Sequence, residues 1–316
     1  MTALSDSGVP AAGFDHEALF YRGEAEFLGG VLPFVRGGLE REEAVVVAEP
    51  GPRLALLRDA LGHDAEAVEF LDMAEVGLNP ARIIGVWSAV VDRHVSAGRG
   101  LRGVGEPAWH GRRPVELVEW QLHELLLNHA FGSGPAWRLM CPYDEKHLPR
   151  SVCHGALRAH PVRSRSTQRA ASEDYVSDGH AAAFAAALPP PTDAVLRGIY
   201  GPGDVPATRR TVAQYARSCG LAADRVDALE LAASEVATNS IRHGGGNGTL
   251  AMWLEPGGVI IEFSDAGELL DPLVGRRMPR PDQEGGRGLY LVNQLCDLVQ
   301  LRSSPTGTTV RITTWR

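Results

Sequence analysis

The chain has 316 residues, of which 44% are hydrophobic and 22% charged, and a formal net charge of −8. That length suits two domains, and that composition excludes a chain disordered throughout. The acidic balance argues against a dedicated nucleic-acid binder, so direct nucleic-acid contact is not expected.

The opening residues, MTALSDSGVPAAG, lack a basic segment followed by an apolar core, so no signal peptide is expected. No window reaches ~18 uninterrupted apolar residues, so no membrane span is expected either, and the expected location is cytoplasmic. From Phe14 to Val162 the pattern alternates between strands and helices. EEAVVVAEP is a β-branched run ending in Pro and Gly and reads as a buried strand. RLALLRDALG follows as a helix, then a weaker strand around Val68 to Leu71. PARIIGVWSAVVDRHVSAG is an amphipathic helix closed at Gly98. LRGVGEP and WRLMCPYD read as strands ending in turns, with the helix PVELVEWQLHELLLNHA between them. This order predicts an α/β domain with a parallel sheet over residues 14–162.

Residues 163–192 are rich in Ser, Ala, Arg and Pro and read as a linker with a short helix over GHAAAFAAAL. Arg158, Arg163, Arg165 and Arg169 read as a solvated basic face. Residues 193–316 predict an α+β domain. TRRTVAQYARSCG and ADRVDALELAASEVATNSIRHG are helices. TLAMWLEPGGVIIEFSD is a hairpin around Pro-Gly-Gly. A polar loop, LVGRRMPRPDQEGGRG, precedes the helix LYLVNQLCD, and LVQLRSSPTGTTVRITTW closes the chain as a second hairpin. No internal repeat is found. Cys141, Cys153, Cys219 and Cys296 form no CxxC pair and read as reduced thiols. A zinc set from Cys141, His147, Cys153 and His154 is conceivable, but its spacing matches no standard pattern.

The chemistry concentrates in the last block. Glu235 and Asn239 stand four apart and share one face of a helix whose other positions are apolar. Asp265 ends an apolar strand and is followed at once by a turn at Gly267. Gly286 and Gly288 open a helix, baring N–H groups that suit a phosphate. Gly307 and Thr308 begin the last strand. In this order the segments resemble the GHKL nucleotide-binding fold shared by anti-sigma serine kinases, sensor histidine kinases, DNA gyrase and a heat-shock chaperone. EVATN matches its Glu-x-x-x-Asn box, DAGEL its Asp-x-Gly-x-Gly box, GRGL its Gly-x-Gly-Leu box and GTTV its Gly-Thr strand start. Leu269 stands where the family has a second glycine. ELAASEVATNSIRHG is most similar to the RsbW-like anti-sigma kinases.

The resemblance implies an ATP and Mg²⁺ site. Asn239 would hold Mg²⁺ through its amide oxygen. Asp265 would accept from the adenine amino group, with Gly267 letting the backbone approach the base and Thr308 bonding nearby. Gly286, Arg287, Gly288 and Leu289 would cradle phosphate, with His243 at the end of the helix that carries Asn239. Glu235 would take the proton of an attacking hydroxyl.

The first block resembles the MEDS sensory domain, through HEALFYRGEAEFLGGVLPFVRGGLEREEAVVVAEP, LRGVGEPAW, ELVEWQLHELLLNHAF and CPYDEKHLP followed by HP at His160. That resemblance implies a RecA-type sheet, and the absence of GxxxxGK[ST] implies no ATP hydrolysis there. His16, Tyr21, Glu106, Trp109, Glu119, Cys141, Tyr143 and Asp144 are its polar and aromatic landmarks and the candidate lining of a sensory pocket at strand ends. Together the two blocks resemble the RsbA family of anti-sigma regulators. The implied function is a stress-response switch: a serine/threonine kinase-like anti-sigma factor acting on a sigma factor or a STAS-type antagonist. The alternative is a non-catalytic module that sequesters a partner when nucleotide is bound. A sensor histidine kinase ranks below both, because the linker offers only His180 and no long paired helices. The oligomeric state stays open, a homodimer included.

Overall fold

In the computed structural model, residues 13–191, 194, 196–279 and 285–316 are described. They divide into two compact units that part between His180 and Ala181. Among the described residues no helix is long and apolar enough to cross a membrane.

The first unit runs β1 (Phe14–Tyr21), α1 (Glu24–Leu39), β2 (Ala44–Glu49), α2 (Gly51–Leu61), β3 (Val68–Asp72), α3 (Met73–Val76), α4 (Ile83–His94), β4 (Leu101–Gly105), α5 (Pro114–Phe131), β5 (Trp137–Asp144), α6 (Arg150–Ala159), β6 (Val162–Arg165) and β7 (Gln168–Ala171), with α7 (Gly179–Ala185) following. Its sheet has the order β3-β2-β4-β5-β1-β6-β7 and is parallel except for the β6–β7 pair. Every residue of β2 is buried, as AVVVAE predicts for a strand covered on both faces. One face packs Leu19, Tyr21, Val45, Val47 and Met140 against Phe27, Val31 and Phe34 of α1 and Leu57 of α2. Trp87 of α4 and Trp120 of α5 are also fully enclosed.

Residues 162–171 correct the linker expectation, because they form the β6–β7 hairpin at the edge of this sheet. β6 pairs parallel with β1, Glu17 opposite Val162. The arginines that read as a solvated face are partly structural. Arg169 meets Asp15 at 2.6 Å and Glu17 at 2.6 Å, and Arg138 meets Asp15 at 3.0 Å. Two carboxylates on a central strand need such partners, and the hairpin brings one of them.

The second unit runs β8 (Leu196–Tyr200), α8 (Val205–Ser218), α9 (Ala223–His243), β9 (Gly248–Glu255), β10 (Gly258–Asp265), α10 (Arg287–Leu295), β11 (Leu298–Ser304) and β12 (Gly307–Trp315). Its sheet is antiparallel, in the order β11-β12-β10-β9-β8. Both expected hairpins are present, and β8 joins them as an edge strand that the sequence reading did not foresee. α9 buries Val226, Leu229, Ala232, Ala233, Val236 and Ala237, all at helical spacing, and packs beside α8 and α10. The apolar stripe stops short of Glu235 and Asn239, which stay half-buried at its margin.

Candidate functional site

α9, the end of β10, the start of α10 and the start of β12 surround a cavity of about 650 Å³. It is lined by Glu235, Asn239 and His243 of α9, by Asp265 and Gly267 after β10, by Gly286, Arg287, Gly288 and Leu289, and by Thr308 of β12. The structure thus brings together every residue that the sequence assigned to the ATP site. Val236, Leu269, Val274, Leu301 and Val310 add an apolar lining that the sequence reading did not assign. Part of the Gly275–Gly285 loop lies outside the described residues.

Close backbone approach fixes the end of the cavity at Asp265. A side chain at Gly267 would meet the His243 carbonyl oxygen at 2.4 Å, and one at Gly307 would meet the Asp265 carbonyl oxygen at 2.3 Å. One at Gly244 would meet Asp265 Cγ at 2.3 Å. Three chain segments therefore cross where only glycine fits. The Gly267 N–H donates to Asp265 Oδ1 at 2.9 Å, an Asx turn that fixes the carboxylate. Thr308 Oγ1 donates to the Gly267 carbonyl at 2.7 Å and lies 2.8 Å from Ser303 Oγ. Ser303 Oγ accepts from the Leu269 N–H at 2.7 Å. Leu269, the departure from the glycine box, is thus tied down by a serine of β11.

The other end is the start of α10. Gly286 takes the left-handed conformation, φ 79°, and caps the helix without a side-chain hydrogen bond, so the first turn of α10 opens on the cavity as a helix N-terminus suited to phosphate. A side chain at Gly288 would lie 2.5 Å from Glu235 Oε2 and 3.5 Å from Asn239 Nδ2. The helix start, the carboxylate and the carboxamide therefore meet around one point. A carboxylate beside a carboxamide and a helix N-terminus suits a nucleotide phosphate chain with a hard divalent cation.

In the first unit the expected sensory residues fall in separate places. Tyr21 and Asp144 end β1 and β5, with Glu106 just beyond β4, a common ligand position in parallel sheets. Tyr21 donates to Glu106 Oε1 at 3.1 Å, and Arg53 reaches Asp144 at 3.3 Å. Glu49, buried beside them, was not foreseen. Burial pushes the carboxyl groups of both Glu49 and Glu106 above their ordinary range, and the Glu106 charge adds to the effect on Glu49. The opposite face of the sheet holds His16, Cys141 and Tyr143. There His16 Nε2 is 3.3 Å from Glu124 Oε2 of α5, and His160 Nε2 is 3.2 Å from the same oxygen. Burial, then the neighbouring His160, lowers the His16 pKa to about 4. Trp109 lies under the Arg112 guanidinium at 3.8 Å, and Glu119 is fully buried on α5. The conceived set of Cys141, His147, Cys153 and His154 does not assemble. The metal-ligating group found among the described residues is His16, Glu124, Cys141 and His160.

Comparison with known proteins gives two family matches. Residues 15–161 match the MEDS family, described as the methanogen/methylotroph, DcmR sensory domain. Residues 201–314 match the histidine kinase-like ATPase domain. No curated protein matches. One similar solved structure is that of the RsbU and RsbW domains of Rv1364c from Mycobacterium tuberculosis, at 17% identity and a TM-score of 0.29. The similarity covers 38% of this chain and 32% of that one, so the chain spans about a third of its length.

Proposed function

We propose that this chain, in which a MEDS sensory domain precedes a histidine kinase-like ATPase domain, is a cytoplasmic regulator of transcription that works by partner switching. On this reading the ATPase domain binds ATP with Mg²⁺ and phosphorylates a serine or threonine of a STAS-type antagonist. It holds or releases a sigma factor accordingly, and the MEDS domain biases that choice. The partner classes follow from the resemblance of ELAASEVATNSIRHG to the RsbW-like kinases.

One observation carries the reading. Glu235 and Asn239, one turn apart on α9, line the same cavity as Asp265 and the start of α10. Asp265 uses one oxygen for the Gly267 N–H, which leaves the other to accept from an adenine amino group. Leu269, Leu301 and Val310 supply apolar surface for the base. The first N–H groups of α10 take phosphate oxygens. Asn239 offers a neutral oxygen to Mg²⁺, which adds no further negative charge beside the phosphates. Bound ATP supplies the phosphoryl group. Glu235 accepts the proton of the incoming hydroxyl, a role worth about 10²- to 10⁴-fold in rate.

Calorimetry with ATP and Mg²⁺ on the wild type and Asn239→Ala tests the site. Binding that the substitution abolishes supports it, and a folded wild type that binds nothing ends the reading. Transfer of labelled phosphate to an antagonist protein then tests catalysis with Glu235→Gln. A wild type that binds ATP yet transfers nothing is a partner-binding module rather than a kinase.

A further inference from the structure

The buried cluster on the α5–α6 face of the first unit is not used by the proposed nucleotide chemistry. Four elements build it: His16 from β1, Glu124 from α5, Cys141 from β5, and His160 directly after α6. His16, Glu124 and His160 are wholly enclosed, and Cys141 is 1% exposed. A carboxylate, two imidazoles and a thiol do not gather in a protein interior without compensation.

The hydrogen bonds around the cluster set the tautomer of each ring and the orientation of the carboxylate. His16 Nδ1 lies 3.1 Å from Asn128 Oδ1, and Asn128 is oriented by its own Nδ2 donating to the Ala159 carbonyl at 2.6 Å. His160 Nδ1 donates to the Ala156 carbonyl at 2.8 Å. Each ring thus carries its proton on Nδ1, and in the neutral imidazole the Nε2 atom is then a lone pair. Both Nε2 atoms face Glu124 Oε2, itself an acceptor. Neither Glu124 Oε2 nor His160 Nε2 has a hydrogen-bond partner. Trp120 Nε1 donates to the other Glu124 oxygen at 3.2 Å, which fixes the carboxylate from behind. Hydrogen-bond partners that lock the far side of the ligands, here for His16, His160 and Glu124, are the usual support of a metal site.

The spacing agrees. Tetrahedral ligands at about 2.0–2.3 Å from a zinc ion stand about 3.3–3.7 Å from one another. Here the His16–Glu124, His160–Glu124 and Cys141–His16 separations are 3.3, 3.2 and 3.5 Å. All four donor atoms lie within 4.8 Å of one another. We propose that His16, Glu124, Cys141 and His160 form a closed tetrahedral site for a zinc-class divalent cation inside the MEDS domain. Two imidazoles, one carboxylate and one thiolate suit Zn²⁺ in donor softness, and the two anionic ligands cancel its charge. The Cys141 thiol gives up its proton to solvent when the ion binds. With four protein ligands and no exposure, the site holds sheet and helices together rather than catalysing a reaction. It ties both central strands, β1 and β5, to the helices behind them.

The test uses the full chain. Metal is measured by mass spectrometry as purified and after chelation and dialysis against Zn²⁺, and Co²⁺ is then titrated into the stripped protein. The expected results are about one equivalent of zinc per chain, a melting point that falls on chelation, and a Co²⁺ complex with intense tetrahedral bands and a thiolate-to-cobalt charge-transfer band. Cys141→Ser should lose that charge-transfer band, and His160→Gln should lose stoichiometric metal. A wild type that takes up no stoichiometric metal, or a Co²⁺ complex without thiolate absorption, overturns the proposal. So does His160→Gln with unchanged metal content. The wild-type spectra decide the matter even where a variant folds poorly. Cobalt bound at the oxygen-lined site around Asn239 would show no thiolate band, so success or failure here is independent of the nucleotide reading.

Discussion

Asp265→Asn separates recognition of the base from the integrity of the turn that presents it. In the structure one Asp265 oxygen accepts the Gly267 N–H at 2.9 Å. Asparagine keeps that acceptor, so the turn, and the close packing of Gly244, Gly267 and Gly307 around it, should survive. The second oxygen becomes an NH₂ group, which sets a donor against the donor of adenine. A hydrogen bond to a charged acceptor is worth about 1.5–3 kcal/mol, so affinity for ATP with Mg²⁺ should fall about 10- to 150-fold. Calorimetry with a non-hydrolysable ATP analogue measures the loss, and far-ultraviolet circular dichroism and a melting curve check the fold. Asp265→Ala serves as contrast: it also strips the Gly267 N–H of its partner and should cost about 1 kcal/mol in stability. If Asp265→Asn is folded and binds within about twofold of wild type, the base does not meet Asp265 and the assignment of this end of the cavity is wrong.

Gly288→Ala should leave the fold intact, since the methyl group meets only the mobile end of Glu235, at 2.5 Å from Oε2. The displaced carboxylate should slow phosphoryl transfer by about tenfold or more while ATP affinity changes much less, a contrast read from single-turnover transfer beside calorimetry. Arg169→Ala should destabilise the first domain by about 2 kcal/mol in urea titration, because Asp15 and Glu17 then share Arg138 alone. Unchanged stability would mean that these ion pairs do not hold the hairpin to the sheet. Glu106→Gln tests the buried carboxylates at the strand ends. The folded pKa values of Glu49 and Glu106 lie above their unfolded values, so the native state holds protons that the unfolded chain releases. Their stabilisation is full below the unfolded values, about pH 4.3, and declines as pH rises through the folded ones. Removing one of the pair should flatten that decline, seen in melting points across neutral pH, and an unaltered slope would mean the pair is not protonated.

How much of this was legible in the sequence depended on whether the informative residues were local. Glu235 with Asn239, Asp265 with Gly267, Gly286 with Gly288, and Gly307 with Thr308 each lie within one turn of helix or one tight bend. Their order along the chain was enough to group them, and all but Gly307 line the one cavity. The apolar lining from Leu301 and Val310 was missed because an apolar residue on a strand looks the same whether it faces a core or a ligand. The buried cluster was hidden for the opposite reason. His16, Glu124, Cys141 and His160 come from four separate elements, and only the pairing of β1 with β5 aligns them. Cys141 was therefore grouped with its sequence neighbours His147, Cys153 and His154. The β6–β7 hairpin was mistaken for a linker because four-residue edge strands of Ser, Arg and Gln carry no hydrophobic period; ion pairs to a strand far away in sequence hold it.

The crossing at Gly244, Gly267 and Gly307 also gives a way to sort natural chains of this architecture. Each glycine comes from a different part of the second domain, and a methyl group at any one would strike backbone or Asp265 at 2.3–2.4 Å. At Gly267 and Gly307 no neighbouring change relieves such a clash cheaply, since backbone is in the way, whereas at Gly244 the obstacle is the Asp265 side chain. A methyl group at Gly267 or Gly307 therefore disturbs this end of the domain whether or not nucleotide is bound. Inspection of Gly267 and Gly307 then separates chains that keep this crossing from chains that have rebuilt it, before any protein is purified.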